Sequence, residues 1–241
     1  MSRFFPSHRV GVALPSANPA VEPELRQLLP ESVALHAARL PVMPGTTLQE
    51  RNARYIEAYE AALAAFGELK LDAAAVAVTG PSYALSPQED AALAEKLSAA
   101  RGCPVVLASQ GILACLRRLG ISDVALFSPY PGWLTDRAEK YWAAQGMRVV
   151  QVFKLSETFR AYELTPEEVV DGLRRMNPPS GSAVVMSGTG MATLDAMAEL
   201  SAAMSTPLLA SNLCTAWALM QALGVALPPV WERLSPALWH A

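Results

Sequence analysis

Short apolar runs rich in β-branched residues alternate along this chain with longer segments whose apolar positions recur at helical spacing. This alternation predicts an α/β fold built on mostly parallel sheets. The short runs predict strands at 9–14, 32–37, 73–79, 104–108, 123–128, 148–153, 183–187 and 207–211. The longer segments predict helices at 20–29, 48–69, 87–100, 110–119, 133–145, 166–176, 193–203 and 213–223. Two of these helices carry clear start signals, a hydroxyl residue followed by proline and acids, at Ser86 and Thr165.

An internal repeat divides the chain into two similar halves. The segment VAVTGPSY at 76–83, with PVVLASQ at 104–110, is matched by VVMSGTGM at 184–191 and PLLASN at 207–212. Gly80 and Gly188 occupy the same position of the repeat. The repeat predicts two duplicated Rossmann-like halves with four parallel strands each, related by a pseudo-twofold axis and separated by an interdomain cleft. We assign 1–119 with 213–241 to the first half and 120–212 to the second.

Ligands of parallel sheets bind beyond the carboxyl ends of the strands, so the loops near 14, 79, 128 and 187 should meet in the cleft. In the first loop, Asn18 offers a carboxamide to an anion, or it caps the following helix as an Asx turn. In the second, Ser82 and its neighbours place hydroxyls around a glycine turn, either for a ligand or as a helix cap.

The two loops of the second half offer a phenol and a backbone nest. Tyr130 lies between two prolines, which is a rigid way to aim a hydroxyl at a site, although a single tyrosine also suits the core or the rim. The segment Ser187 to Gly190 can bind a carboxylate or phosphate oxygen through its N–H groups and the Thr189 hydroxyl.

Composition and charge exclude several other classes of protein. The 19 basic and 22 acidic residues give a net charge of −3, and no basic run suits nucleic acid. No apolar stretch reaches the length of a membrane span and no signal peptide precedes the first strand, so we expect a cytoplasmic protein with no membrane partner. The 3 cysteines and 3 histidines are scattered, which argues against a disulfide framework, a metal site or a hydrolase triad.

These four loops, in this order, resemble motifs of the Asp/Glu racemase superfamily, in particular its maleate isomerase, arylmalonate decarboxylase and ectoine-utilisation branches. The segment PSANPAVE at 15–22 is similar to the entry motif Pro-Ser-Ser/Thr-Asn-Thr, whose Asn contacts a substrate carboxylate. Pro129 and Tyr130 resemble the carboxylate-holding tyrosine motif of two branches. The segments 187–189 and 193–195 resemble a second-half Ser-Cys-Thr and Thr-Leu-Asp motif.

The resemblance implies a cofactor-free enzyme for a small carboxylate, with a thiol on each half in most branches. Here the matching positions are Gly80 and Gly188, while Cys115 and Cys214 fall on predicted helices as buried apolar residues. Without thiols, two-base racemisation and thiol addition to an alkene lack their reacting groups. Decarboxylation through a stabilised enediolate remains, with its proton coming from Tyr83, Tyr130, Thr189 or water.

The sequence therefore leaves two main candidate functions and one set of candidate site residues. The first is a lyase- or isomerase-type enzyme acting on a small mono- or dicarboxylate, without cofactor or metal and with a possible homo-oligomeric state. The second is a carboxylate-binding or regulatory protein that has lost the catalytic thiols. A third possibility is a different reaction that uses other groups, for example Glu22 or Arg39 at the cleft edge. The predicted catalytic residues are Tyr130, Thr189 and Ser82. The predicted substrate-binding residues are Pro15, Asn18, Gly80, Pro81, Ser82, Tyr83, Tyr130, Gly188, Thr189 and Gly190.

Overall fold

Two four-stranded parallel sheets form the framework of the protein, and the computed structural model describes residues 5–241. The first sheet has the order β2-β1-β3-β4 and the second the order β6-β5-β7-β8, so the same topology occurs twice. This confirms the predicted pair of duplicated α/β halves, which we call the first half (β1 to β4) and the second half (β5 to β8). The strands are β1 (His8–Leu14), β2 (Val33–Arg39), β3 (Ala73–Val76), β4 (Val105–Leu107), β5 (Asp123–Ser128), β6 (Arg148–Lys154), β7 (Ala183–Met186) and β8 (Leu208–Ala210).

Helices connect the strands and cover the sheets. They are α1 (Val21–Leu28), α2 (Leu48–Ala64), α3 (Pro87–Arg101), α4 (Ala108–Arg118), α5 (Gly132–Ala144), α6 (Pro166–Arg175), α7 (Leu194–Leu200), α8 (Ser211–Leu223), α9 (Val230–Leu234) and α10 (Pro236–Trp239). None of the helices within residues 5–241 combines the length and the apolar character needed to cross a membrane.

The two predicted helix starts are confirmed as capping boxes. Ser86 Oγ accepts a hydrogen bond from the Glu89 N–H at 3.2 Å, and the Glu89 carboxylate accepts one from the Ser86 N–H at 2.8 Å. Thr165 and Glu168 make the same reciprocal pair at the start of α6. Each box satisfies two backbone donors that the first helical turn leaves free.

Several predicted bounds were too long. The strand predicted at 73–79 ends at Val76, because the chain then enters a 3₁₀ turn over Gly80–Ala84. The helix predicted at 48–69 ends at Ala64, and the chain continues in turns over 65–68, where Gly67 adopts a φ of 56°. Helix α7 ends at Leu200 instead of 203.

Helices α4 and α8 pack closely against each other, and both start directly at the end of a strand. A Cβ at Gly111 would lie 2.9 Å from the Cys214 carbonyl oxygen, so only glycine permits this approach. The C-terminal segment contacts both halves, since Trp231 Nε1 donates to the Leu28 oxygen at 2.9 Å and Ser201 Oγ donates to the Leu234 oxygen. The division of the chain at 119 and 212 stays a prediction.

Candidate active site

The loop after β1 uses Asn18 to start a helix and to reach the other half of the protein. Asn18 Oδ1 accepts hydrogen bonds from the N–H groups of Ala20 at 2.9 Å and Val21 at 3.1 Å. The Asx-turn interpretation is therefore confirmed. The Asn18 side chain makes a second contact through Nδ2, which donates a hydrogen bond to Thr189 Oγ1 at 3.2 Å. Asn18 thus connects the first loop of one half to the last loop of the other.

The Thr189 hydroxyl is fully engaged within the protein. It accepts the hydrogen bond from Asn18 and donates its own proton to the Ala77 oxygen at 2.9 Å. A hydroxyl carries one proton, so in this arrangement Thr189 has none to give to a ligand. The backbone N–H groups of Thr189 and Gly190, by contrast, find no acceptor among residues 5–241.

Glu24 of α1 holds the same loop from behind. Its Oε1 accepts hydrogen bonds from the Thr193 hydroxyl at 3.0 Å and from the backbone N–H groups of Thr193 and Leu194, at the start of α7. Asn212 Nδ2 donates to Glu24 Oε2 at 2.7 Å and to the Thr189 oxygen at 3.0 Å. Burial raises the pKa of the Glu24 carboxyl, and these donors act against that shift. A buried carboxylate of the first half therefore fixes the 187–190 loop of the second.

Four buried hydroxyls meet at the boundary between the halves. Tyr130 OH lies 2.7 Å from Thr79 Oγ1, and Tyr83 OH lies 2.5 Å from Ser187 Oγ. We call Thr79, Tyr83, Tyr130 and Ser187 the hydroxyl cluster; each half contributes two of them. Thr79 and Ser187 occupy the same position of the sequence repeat. Burial raises the pKa of both phenols, so both keep their protons at neutral pH.

The two glycines of the repeat lie beside this cluster in different conformations. Gly188 has a φ of 96°, and a Cβ there would lie 3.1 Å from Tyr130 OH. Gly80 does not adopt a positive φ, and its Cβ would lie 3.1 Å from Asn52 Nδ2. Cys115 and Cys214 are fully buried on α4 and α8, and neither borders the space in front of these glycines. The chain thus brings no thiol to the two positions.

A cavity of about 30 Å³ lies in front of the hydroxyl cluster. This volume holds about one water molecule and is too small for an organic carboxylate. Its roof comes from the loop between β6 and α6, residues 155–165, which we call the β6–α6 loop. The lining residues are Pro15, Leu48, Arg51, Asn52, Tyr55, Val78, Gly80, Tyr130, Leu134, Phe159, Ala161, Tyr162, Thr189 and Gly190.

Aromatic contacts hold the β6–α6 loop over the cavity. The Phe159 ring stacks on Tyr130 with centroids 6.2 Å apart, and the Tyr162 ring packs edge-on against Phe159 at 5.3 Å. A Cβ at Gly190 would lie 2.5 Å from Tyr162, so the glycine lets this ring approach the chain. The loop must move before a ligand larger than water can enter.

A family model described as arylmalonate decarboxylase matches residues 10–230 of this chain. The chain belongs to the arylmalonate decarboxylase family. This confirms the resemblance to the Asp/Glu racemase superfamily that the loop motifs indicated.

Other members of the superfamily are similar over nearly the whole chain. A maleate isomerase from Geobacillus stearothermophilus is 23% identical over 236 residues, which cover 90% of this chain and 92% of the relative. The structure of the maleate isomerase from Pseudomonas putida S16 with maleate superposes with a TM-score of 0.86 at 22% identity, covering 97% of this chain and 98% of that one. A double mutant of arylmalonate decarboxylase in a liganded form gives a TM-score of 0.80 at 20% identity, covering 95% and 98%. These structures show that the fold is shared.

The structure of this arylmalonate decarboxylase family member separates the predicted site residues into two layers. The cavity wall contains Pro15, Gly80, Tyr130, Thr189 and Gly190. Behind that wall lie Asn18, Pro81, Ser82, Tyr83 and Gly188. A direct role in ligand binding stays a prediction for every one of them.

Ser82 faces away from the cavity because of the 3₁₀ turn. Its hydroxyl lies beside Asp90 of α3 and helps to lower the pKa of that carboxyl, whereas burial, the larger influence, raises it. Tyr141 of α5 donates to Asp90 Oδ2 at 3.0 Å, while Oδ1 is buried without a partner among the described residues. Ser82 is therefore part of a second polar group behind the site.

The alternative residues Glu22 and Arg39 form an ion pair with each other at the protein surface. Arg39 also donates to the Asn18 oxygen at 3.3 Å, which supports the first loop from outside. Neither side chain borders the cavity.

Helix α2 contributes site residues that the sequence reasoning missed. Leu48, Arg51, Asn52 and Tyr55 are spaced so that they share one helical face, and all of them line the cavity. A face that combines Arg and Asn with apolar residues was the available signal in the sequence.

Proposed function

We propose that this protein is a cofactor-independent lyase- or isomerase-type enzyme that acts on a small mono- or dicarboxylate, and that decarboxylation through an enediolate is its reaction. The homologues are cofactor-independent enzymes of small carboxylates, which supports the general class. The specific reaction is inferred from the side chains of the cavity.

The observation that carries the proposal is the set of ionisable groups that line the cavity. Within residues 5–241 these are Arg51 and the phenols of Tyr55, Tyr130 and Tyr162. Burial raises the pKa of all three phenols, so none of them is a base near neutral pH. Racemisation or proton abstraction needs such a base. Decarboxylation does not, because the bond that breaks leaves its electron pair on the substrate carbon.

The reaction balances with the groups at hand. The carbon–carboxylate bond breaks, carbon dioxide leaves, and the electron pair spreads into the retained carboxyl group to give an enediolate. The N–H groups of Thr189 and Gly190, which lack internal acceptors, can donate to its oxygens. The carbon then takes one proton to give the product.

Tyr130 is the best candidate for the proton donor. The proton of Thr189 is directed to Ala77, and Tyr83 lies behind the cavity wall. Tyr130 alone of these three has a proton and borders the cavity. Thr79, Ser187 and Tyr83 are placed to return a proton to it through the hydroxyl cluster.

The test is turnover of a panel of malonates, arylmalonates, maleate, fumarate, aspartate and glutamate, followed by carbon dioxide release and by deuterium incorporation in D₂O. We expect a substituted malonate to lose carbon dioxide, and Tyr130→Phe to lower kcat by about 100-fold. Tyr141→Phe is the matched control, since it also removes a buried phenol hydroxyl but lies outside the cavity wall. Equal losses in the two variants, or proton exchange without carbon dioxide release, would contradict the proposal.

The lack of a base also favours a second function, that of a carboxylate-binding protein without catalysis. Stabilisation by a carboxylate in a thermal-shift assay, with no turnover of any compound in the panel, would support it.

A further inference from the structure

Arg51 is an unpaired cation in the wall of a largely apolar cavity. Its side chain is half-buried, and no acidic group within residues 5–241 forms an ion pair with it. The guanidinium lies over the Phe159 ring, 5.7 Å from its centroid. Its positive charge also acts to lower the pKa of the Tyr55 and Tyr162 phenols. A ligand anion is the partner that this cation lacks.

Asn52 provides an independent second observation. It is only 9% exposed, lines the cavity, and makes no side-chain hydrogen bond with any described residue. Buried carboxamides are normally satisfied by hydrogen bonds, so an unpartnered one at a cavity wall is available to a ligand. Its amide lies next to Gly80, where a Cβ would approach Asn52 Nδ2 to 3.1 Å. The carboxamide thus faces the same space as the Arg51 guanidinium, one residue away on α2.

We propose that Arg51 and Asn52 form a subsite for a second carboxylate of the ligand. The proposal rests on the proposed function, because it assumes that the first carboxyl group occupies the N–H donors at Thr189 and Gly190. Guanidinium and carboxylate make bidentate hydrogen bonds, and the Asn52 amide supplies a further donor. The ligand class is then a dicarboxylate or a larger polyacid.

The chemistry of the reaction decides which acid group binds there. A guanidinium beside a departing carboxylate would stabilise the ground state and slow the loss of carbon dioxide. The carboxylate at Arg51 is therefore one that the product keeps. The substrate is then a malonate-type acid with a third carboxyl group on its substituent, and its product is a dicarboxylate. This extends the mono- or dicarboxylate class of the proposed function by one acid group.

Binding must also change the roof of the cavity. A second carboxylate does not fit into about 30 Å³, so the β6–α6 loop moves and Arg51 exchanges the Phe159 ring for the ligand. The same cation that holds the closed loop would thus be used to bind the acid.

The experiment measures binding rather than turnover. Dissociation constants are determined by calorimetry for matched pairs, succinate with butyrate and glutarate with valerate, on the wild type, Arg51→Gln and Arg51→Lys. Arg54→Gln is the control, because Arg54 is exposed on the same helix and does not line the cavity. We expect Arg51→Gln to weaken the dicarboxylates at least tenfold and the monocarboxylates less than twofold. Arg51→Lys should keep part of the dicarboxylate affinity, and Arg54→Gln should leave both classes within twofold.

The outcomes separate the two proposals. If dicarboxylates bind and Arg51→Gln weakens them no more than Arg54→Gln does, the subsite is wrong and the proposed function stands. If Arg51→Gln weakens both members of each pair equally, Arg51 binds the first carboxylate and the subsite is again wrong. If no acid in the series binds, the subsite is wrong, and turnover of the malonate panel alone decides the proposed function. Melting temperatures of the variants show whether each one is folded.

Discussion

The Tyr130 hydroxyl lies 2.7 Å from Thr79 Oγ1, and this hydrogen bond joins the second half of the protein to the first. The reciprocal bond between Tyr83 and Ser187 crosses the same boundary at 2.5 Å. The phenol that borders the cavity is therefore oriented by a residue of the opposite half.

Replacing Thr79 with the isosteric Val removes that orientation and keeps the volume of the side chain. We expect kcat for a decarboxylated substrate to fall by about tenfold with little change in KM, because Tyr130 remains but is no longer fixed. Thr215→Val is the control, since it removes an equally buried hydroxyl bonded to the Ser211 oxygen inside α8. If Thr215→Val lowered kcat as much, the orientation of Tyr130 would not be the cause.

Introducing side chains at the two repeat glycines should have unequal effects. At Gly188 the φ of 96° strains any L side chain, so Gly188→Ala and Gly188→Cys should each lose about 1–3 kcal/mol of unfolding free energy. At Gly80 the backbone is not strained and the contact is the movable Asn52 amide, so Gly80→Ala and Gly80→Cys should lose less. Urea unfolding of the four variants checks this. Equal losses at the two positions would show that the strain argument is wrong.

Asp90→Asn should change the pH dependence of stability. Burial raises the folded-state pKa of Asp90 above its ordinary value of 3.8, so the folded protein binds more protons than the unfolded chain above that pH. The stability that Asp90 contributes is complete below about pH 3.8 and is lost as the pH rises through the folded pKa. We therefore expect the variant to gain on the wild type as the pH rises from about 3.8 towards neutral, measured by urea unfolding. A constant difference across this range would contradict the assignment.

Gly190→Ala should loosen the β6–α6 loop, which covers the cavity. The new Cβ would lie 2.5 Å from the Tyr162 ring, which must then move away. We expect faster proteolysis and faster hydrogen exchange within residues 155–165, with a cost of about 1–3 kcal/mol in stability. Gly132→Ala is a control, because its Cβ would meet only Lys154 Nζ at an ordinary 3.8 Å. Unchanged exchange in the loop would mean that Tyr162 does not hold it.

The sequence predicted the features that depend on local pattern and on repetition. The two four-stranded parallel halves, the helix caps and the positions of the four loops follow from periodicity and from the repeat, and the Asn18 turn follows from its position before a proline. The orientation of Ser82 could not be predicted, because one 3₁₀ turn decides whether its hydroxyl faces the cavity or Asp90. Arg51 and Phe159 were missed for another reason. The contact between Arg51 and Phe159 depends on how α2 and the β6–α6 loop, which are far apart in sequence, pack together over the cavity.

The bonds that cross between the halves also constrain how fast a ligand can enter. Three buried hydrogen-bonded contacts between the halves hold the base of the cavity in place. They join Thr79 to Tyr130, Asn18 to Thr189, and Glu24 to the start of α7. A hinge opening of the two halves would break these buried bonds together, whereas displacement of the β6–α6 loop breaks none of them. Entry should therefore be limited by how fast this loop opens, without waiting for the two halves to separate.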